Sequence, residues 1–456
     1  MSELGGKQIG VLGLARSGRA AARLALVRGA RVYASDLCGD DDRRRAAEEV
    51  RGWGGEAEAG RHDTERLAGC DLLVVSPGIP LDAPVLADQR LANIPRVSEL
   101  ELALGELTSP VVAVTGTNGK STVTALISHL LTSAGREVPA AGNIGTPLSE
   151  IPLRAKPPDA VAIEVSSFQL ALTGSLKAAV GVFTNLSPDH LDRYQSVEEY
   201  YADKERFFLN ADSESRWVVN GDDHESLLLS LDKPGKHYTF RAAKPLLPFE
   251  RGAHLDLEER LVFWQPKGSQ EVILPVSELN LLGRHNAANA LAAALAVRLM
   301  GVATPRIAEG LRSFSPLPHR LEPVAERGGV LWINDSKATN VASARVAVLS
   351  MTRPTVLLLG GRHKGEPYGP VLAGLPSPVR SVVAYGEAAE QIENDLKERV
   401  PVRRVEDGFD AAVAVAGREA GPGDAVLLSP ACSSYDLFRD FEERGERFAQ
   451  LAGGGR

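Results

Sequence analysis

Cysteine is scarce. The chain has three in 456 residues, Cys38, Cys70 and Cys432, scattered and without metal-ligand spacing. This excludes a disulfide framework and a cysteine-held metal centre, and it suits a reducing compartment. Long apolar runs are also missing. The longest, Ala290 to Val297, stops at Arg298, short of the roughly 18 residues a membrane-spanning helix needs. Charge of one sign is nowhere gathered into blocks, and acidic and basic residues interleave to a net charge of -8. Nucleic acid is therefore not expected as the main partner, although a local basic pocket for phosphates is compatible with that total. The opening residues, "MSELGGKQIGVLGLA", run straight into a strand pattern, so no cleavable signal is expected and the cytoplasm is the expected location. Hydrophobic residues at 44% and charged residues at 24% are those of an ordinary globular protein. The length predicts about three domains at ~150 residues each.

The pattern from Gln8 is strand, helix, strand, closing at Asp36, which outlines a mononucleotide-binding half-fold. Its glycines, Gly10, Gly13 and Gly18, do not make G-x-G-x-x-G. They leave two readings open, an anionic nucleotide at the first helix's N-terminus or glycines used for tight packing. A boundary is expected at Thr108 to Pro110, where the fresh strand "VVAV" begins, and a second at Pro316 and Pro318. Beyond it, "VLWIND", "TVLLLGG", "SVVAYG" and "DAVLLSP" alternate with helical stretches and predict another open sheet. The expected fold is α/β in three domains, each an open, mostly parallel sheet with helices. Their expected spans are 1–109 (Rossmann-like), 110–316 (P-loop ATPase-like) and 317–456 (Rossmann-like).

The chemistry concentrates at strand ends. In "TGTNGKST", the amides of Gly116, Thr117, Asn118, Gly119 and Lys120 could wrap a phosphate that Lys120 neutralises, with the Ser121 hydroxyl on a magnesium ion and Thr122 opening a helix. The first glycine of the usual phosphate loop is absent, because Val114 stands in its place. Glu164 lies in an apolar strand, where a lone carboxylate needs compensation, either a salt bridge or a magnesium ion beside the loop. His190 follows another strand end and reads equally as surface or site. Lys204 sits between Tyr200, Tyr201, Phe207 and Phe208 on a helix. Its ammonium either snorkels to water, or is buried with a lowered pKa and open to modification. "NDSKATN", "GGRHKG" and "SPACSSYDLF" end three strands with cationic and hydroxyl groups, which suits a small polyanion such as a dicarboxylate.

With these residues together, the chain resembles the Mur ligase family over essentially its whole length. The resemblance rests on "TGTNGKST", "GNIG" at Gly142, "EVSSFQL" at Glu164, "HLDRY" at His190, Lys204, "GRHNAANALAA" at Gly283, "PHR" ending at Arg320, and "NDSKATN". "DSKATN" and "SPACSSYDLF" resemble the branch that adds D-glutamate, and the DNPR-type motif of the diaminopimelate-adding branch is absent. The resemblance implies that Lys120, Ser121 and Glu164 hold ATP phosphates and one magnesium, while His190 and Lys204 hold a second, Lys204 as a carbamate formed with carbon dioxide. It implies adenine at Asn286 and Asn289, and ribose and phosphate at Arg320, Asp335 and Lys337. D-glutamate would meet Thr339, Lys364, Ser434 and Phe441. Leu14, Ala15, Asp36 and Gly78 would receive uridine diphosphate, and Asn143 would face the acceptor.

The implied reaction is ATP-dependent amide formation through an acyl phosphate, in a monomer acting on small molecules, with ATP between the second and third portions. Three rivals differ in what they leave unused. A folylpolyglutamate synthetase-like ligase has no need of a uridine-binding first portion. A nicotinamide-dependent oxidoreductase would explain "GVLGLARSG" but not Lys120 or Lys204, and a regulatory nucleotide-binding protein needs no dicarboxylate pocket.

Overall fold

The computed structural model describes residues 4–189, 193–265, 269–373 and 378–453. Short apolar runs become buried parallel strands because helices cover both faces of such a sheet. In the first sheet the spatial order is Glu56–Ala59, Arg31–Asp36, Gln8–Leu12, Leu72–Val75, Arg96–Ser98, all parallel. The order reverses between Gln8–Leu12 and Leu72–Val75, and ligands of open α/β sheets bind beyond the carboxyl ends at such a switch point. Helix Arg16–Val27 packs there through buried Ala20, Ala21, Leu24 and Ala25.

The second sheet centres on Val111–Thr115, flanked by Val161–Glu164 and Val180–Phe183. On one side Ala140–Gly142 closes the sheet. On the other it continues through Arg216–Asn220, Lys236–Arg241 and Gly252–Leu255, then turns antiparallel in Arg260–Gln265 and Ser269–Pro275. Of these outer strands "KHYTFR" and "SQEVILP" mix polar with apolar residues, whereas "RLVFWQ" carries the short apolar run "LVFW". The third sheet runs Glu322–Arg327, Val330–Asn334, Ala425–Leu428, Thr355–Gly360, Val379–Tyr385, Val402–Val405, antiparallel only at its first edge.

The chain divides into two compact units, Met1–Pro275 with Asn289–Leu311, and Val276–Ala288 with Arg312–Arg456. The first unit holds two of the sheets. They are joined by Arg28 Nε on Glu106 at 2.7 Å together with Arg28 Nη2 on the Pro152 carbonyl, by Ser98 Oγ to Thr173 Oγ1 at 2.7 Å, and by the Ser149 amide donating to buried Glu99 at 2.6 Å. The second unit holds the third sheet. Among the described residues no helix is long and apolar enough to cross a membrane, and all three cysteines are free thiols.

Candidate active site

The strand Val111–Thr115 is buried throughout, so its first residue free to turn is Gly116. That glycine has φ +134°, and a Cβ there would meet Thr184 Oγ1 at 2.1 Å and the Asn185 carbonyl at 2.9 Å. Thr184 cannot swing away cheaply, because its hydroxyl is held at the carbonyls of Thr115 and Asn118. Gly119, at φ +83°, starts helix Lys120–Ser133 and lies against Asn289, whose Oδ1 would be 2.5 Å from an added Cβ. The sequence reading gave all five amides from Gly116 to Lys120 to a phosphate. Two of them are turned elsewhere: Thr117 N donates to the Asn185 carbonyl and Asn118 N to its side-chain Oδ1, each at 2.8 Å. Asn185 thus clamps the loop from the neighbouring strand end, and the anion-facing part begins at Gly119 with the helix N-terminus. Lys120 Nζ folds back onto the Thr117 carbonyl at 2.6 Å, while Ser121 and Thr122 are buried in the first turn.

Gly116→Ala is expected to destabilise the chain by about 2–4 kcal/mol, because strained backbone and a tied neighbour act together. Urea unfolding checks it. A midpoint unchanged from wild type would show that the loop relaxes around a methyl group.

The register of the sheet brings the chemistry to one edge. Val114 pairs with Glu164 and Thr115 with Phe183, so the strand ends that carry Gly116, Glu164 and Thr184 lie side by side. Glu164 is 2% exposed, and its Oε1 accepts from Asn143 Nδ2 at 2.7 Å, while Asn143 N donates to the Glu164 carbonyl. Asn143 itself is exposed. Lys204, on helix Val197–Glu205, is buried with 1% exposure, so snorkelling is excluded. Its Nζ donates to Thr115 Oγ1 at 3.1 Å and to the Gly116 carbonyl at 2.8 Å, directly beneath the loop, with the Tyr200 ring at 5.7 Å. Burial first, and the Lys120 ammonium second, depress its amine well below the usual lysine range, against the pull of the Glu164 and Asp189 carboxylates.

Among the described residues no group of three His, Cys, Asp or Glu side chains is placed to hold a metal ion. The donors expected for magnesium include a serine hydroxyl and a modified lysine beside the Glu164 carboxylate, and oxygen donors of that kind suit a hard cation. His190, the fourth expected donor, lies outside the described residues.

At the first sheet, Asp36 Oδ2 accepts from Leu14 N at 2.8 Å and Oδ1 from Cys38 N at 2.9 Å, closing the turn after Gln8–Leu12. Ala15 caps helix Arg16–Val27 and is exposed, whereas the Leu14 side chain is buried. Gly10 and Gly18 serve packing: an added Cβ would meet Leu73 Cδ2 at 2.6 Å and the Gly13 carbonyl at 1.8 Å respectively. Gly78 has open space around it, and the neighbouring Pro77 carbonyl accepts from Arg193 at 3.1 Å.

In the second unit, Asp335 follows strand Val330–Asn334. Its carboxylate accepts from Leu321 N at 3.1 Å and Ser429 Oγ at 2.8 Å, and burial pushes its pKa up to about 7. Arg320 stands between His319 at φ +63° and Leu321 at φ +43°, two left-handed residues of a kind that clusters at functional sites. Lys337 lies over the Phe441 ring at 3.7 Å. Ser434 is buried, Thr339 and Lys364 are half-buried, and Asn286 donates to the Leu282 carbonyl at 2.8 Å. Thr115, Asn185, Ser429 and Arg444 complete these arrangements. They do not stand out in the sequence, because a polar residue at a strand end signals only a loop and a helical arginine only a solvated face.

Comparisons with known proteins bear on the family and the fold. A family profile described as "Mur ligase middle domain" matches residues 114–297, and one described as "Mur ligase, glutamate ligase domain" matches residues 319–432. The UDP-N-acetylmuramoylalanine--D-glutamate ligase of Anaeromyxobacter dehalogenans is 41% identical, over 99% of this chain and 98% of its own. Its counterpart in Salinibacter ruber is 38% identical, over 97% and 96%. The crystal structure of UDP-N-acetylmuramate-alanine ligase from Thermotoga maritima shares the fold, with TM-score 0.63 at 18% identity, covering 99% of this chain and 100% of that one. With two Mur ligase domains matched in sequence and relatives that align over nearly its full length, the chain belongs to the Mur ligase family.

Proposed function

We propose that this chain is an ATP-dependent ligase that joins D-glutamate to UDP-N-acetylmuramoyl-L-alanine in peptidoglycan precursor synthesis. The observation that carries the reading is Lys204, buried under the phosphate loop near Glu164, together with 38% and 41% identity, over nearly the full length, to relatives that bear that activity in their names. A carboxylate is a poor electrophile at neutral pH. ATP phosphorylates the L-alanine carboxylate, the D-glutamate amine attacks the acyl phosphate, and phosphate leaves from a tetrahedral intermediate.

In this reading the loop Gly116 to Thr122 receives the ATP phosphates at its end from Gly119 onward, and Lys120 offsets the repulsion between two anions as they approach. Bound magnesium would supply further charge neutralisation at the transferring phosphoryl group. Ser121, Glu164, His190 and Lys204 would hold it. The neutral amine that burial favours in Lys204 is the form that adds carbon dioxide: its nitrogen bonds the carbon and releases one proton, and the lysine becomes an anionic oxygen donor. Asn289 and Asn286 meet adenine, Arg320, Asp335 and Lys337 the ribose and phosphates, and Thr339, Lys364, Ser434 and Phe441 the D-glutamate. Leu14, Ala15, Asp36 and Gly78 take the uridine diphosphate, and Asn143 faces the acceptor. We assign residues 1–109, 110–316 and 317–456 to three domains, and we infer a cytoplasmic monomer that engages neither nucleic acid nor membrane.

Phosphate release with ATP, UDP-N-acetylmuramoyl-L-alanine and single amino acids tests the reading. Release is expected with D-glutamate alone. Release without any acceptor amino acid, or equally with other amino acids, overturns it.

A further inference from the structure

Arg444 is the largest fully buried side chain among the described residues, and its hydrogen bonds to Ser336 and Cys432 reach neutral oxygens rather than a carboxylate. It projects from helix Phe441–Ala452. Nε donates to Ser336 Oγ at 2.9 Å, Nη2 to the Ser336 carbonyl at 2.8 Å, and Nη1 and Nη2 each to the Cys432 carbonyl at 3.2 Å. Ser336 Oγ passes the link on to the Phe441 carbonyl at 2.8 Å. The third strand end is bound in as well: a Cβ on Gly361 would lie 3.2 Å from Nη1, and the Arg362 amide donates to the Ser433 carbonyl at 2.9 Å. One planar fork therefore touches the segments after Val330–Asn334, Thr355–Gly360 and Ala425–Leu428.

A buried guanidinium that leaves its charge to carbonyl dipoles is costly, and such a group persists where fixed geometry is what it supplies. We propose that Arg444 is a positioning residue for D-glutamate, setting the spacing of Thr339, Lys364, Ser434 and Phe441 without touching the substrate. This rests on the ligase reading above. Asp335 has its own anchors in Ser429 and Leu321, so this ATP-side contact depends less on the guanidinium than Ser434 does.

The test uses the full chain with Arg444→Lys, which keeps charge and stem but loses the fork, and Ser336→Ala, which removes one arm of it. KM for D-glutamate is expected to rise about tenfold or more in Arg444→Lys, with KM for ATP within about threefold and KM for the uridine substrate unchanged. Ser336→Ala is expected to move the same constant in the same direction, by less. Amide hydrogen exchange should quicken at Lys337 to Thr339 and at Ser433 and Ser434, and stay as in wild type along Thr355–Gly360. An unchanged KM for D-glutamate overturns the proposal. So do all three constants moving together with the folded fraction read by thermal melting. If wild type itself releases no phosphate with D-glutamate, the ligase reading fails, and exchange alone decides: local quickening at those segments supports the positioning role, and uniform or absent quickening overturns it.

Discussion

Lys204→Ala is expected to lose nearly all D-glutamate-dependent phosphate release, by about a thousandfold, the size of effect seen when a charged group facing a transferring phosphoryl is removed. Lys204 is a costly residue to bury. Among the described residues the Lys204 ammonium lies against the Tyr200 ring and donates to neutral oxygens, Thr115 Oγ1 and the Gly116 carbonyl, rather than to a carboxylate, so the protein gains little in stability by keeping it charged there. The neutral amine is the less costly form, and it is also the nucleophile that carbon dioxide requires. Truncation to alanine leaves a void with its polar rim intact, and a small carboxylate such as formate or acetate fits the place where the carbamate oxygens would lie. Partial recovery in added acetate is therefore expected in the variant and not in wild type. A carbonyl signal from carbon-13-labelled carbon dioxide should appear on wild type and vanish in Lys204→Ala. Full activity of the unrescued variant rules out the carbamate role.

Lys120→Ala has the second large effect. Turnover of ATP is expected to fall by about three orders of magnitude or more, since a cation placed against the transferring phosphoryl acts mainly in the transition state. Binding of the uridine nucleotide, measured by calorimetry, is expected to stay within about threefold of wild type. The reason is spatial. Leu14, Ala15, Asp36 and Gly78 belong to the turns of the first sheet, while Lys120 opens the helix that follows the central strand of the second. Equal loss of both would mean that the two sites share more than a unit of the fold.

What was legible in the sequence follows a physical divide. The phosphate loop was readable because strand, turn and helix are consecutive, and local conformation needs only local residues. Glu164 and Lys204 were readable as charges standing in apolar surroundings, where a bare charge demands an explanation. The conformation of the loop was not readable, since Asn185 reaches Asn118 across 67 positions and no pattern ties the two together. Arg444 was hidden for the same reason: its partner Ser336 is 108 residues away, and in "FEERGERF" an arginine looks like any solvated helical cation. Of the outer strands from Lys236 to Pro275, "KHYTFR" and "SQEVILP" mix polar and apolar residues that read equally well as loops, and the buried "GAHL" and "RLVFWQ" are too short to stand out from the turns around them.

The hydrogen bond between Asn143 and Glu164 carries a thermodynamic obligation. One partner stands where the acceptor is proposed to lie and the other where a cation would sit beside ATP, with 2.7 Å between them. A ligand that tightens or reorients one end must bias the other, and such coupling is reciprocal in free energy. Whatever factor the uridine substrate adds to nucleotide affinity, the nucleotide must return to the uridine substrate, so either order of addition arrives at the same ternary complex with the same total affinity.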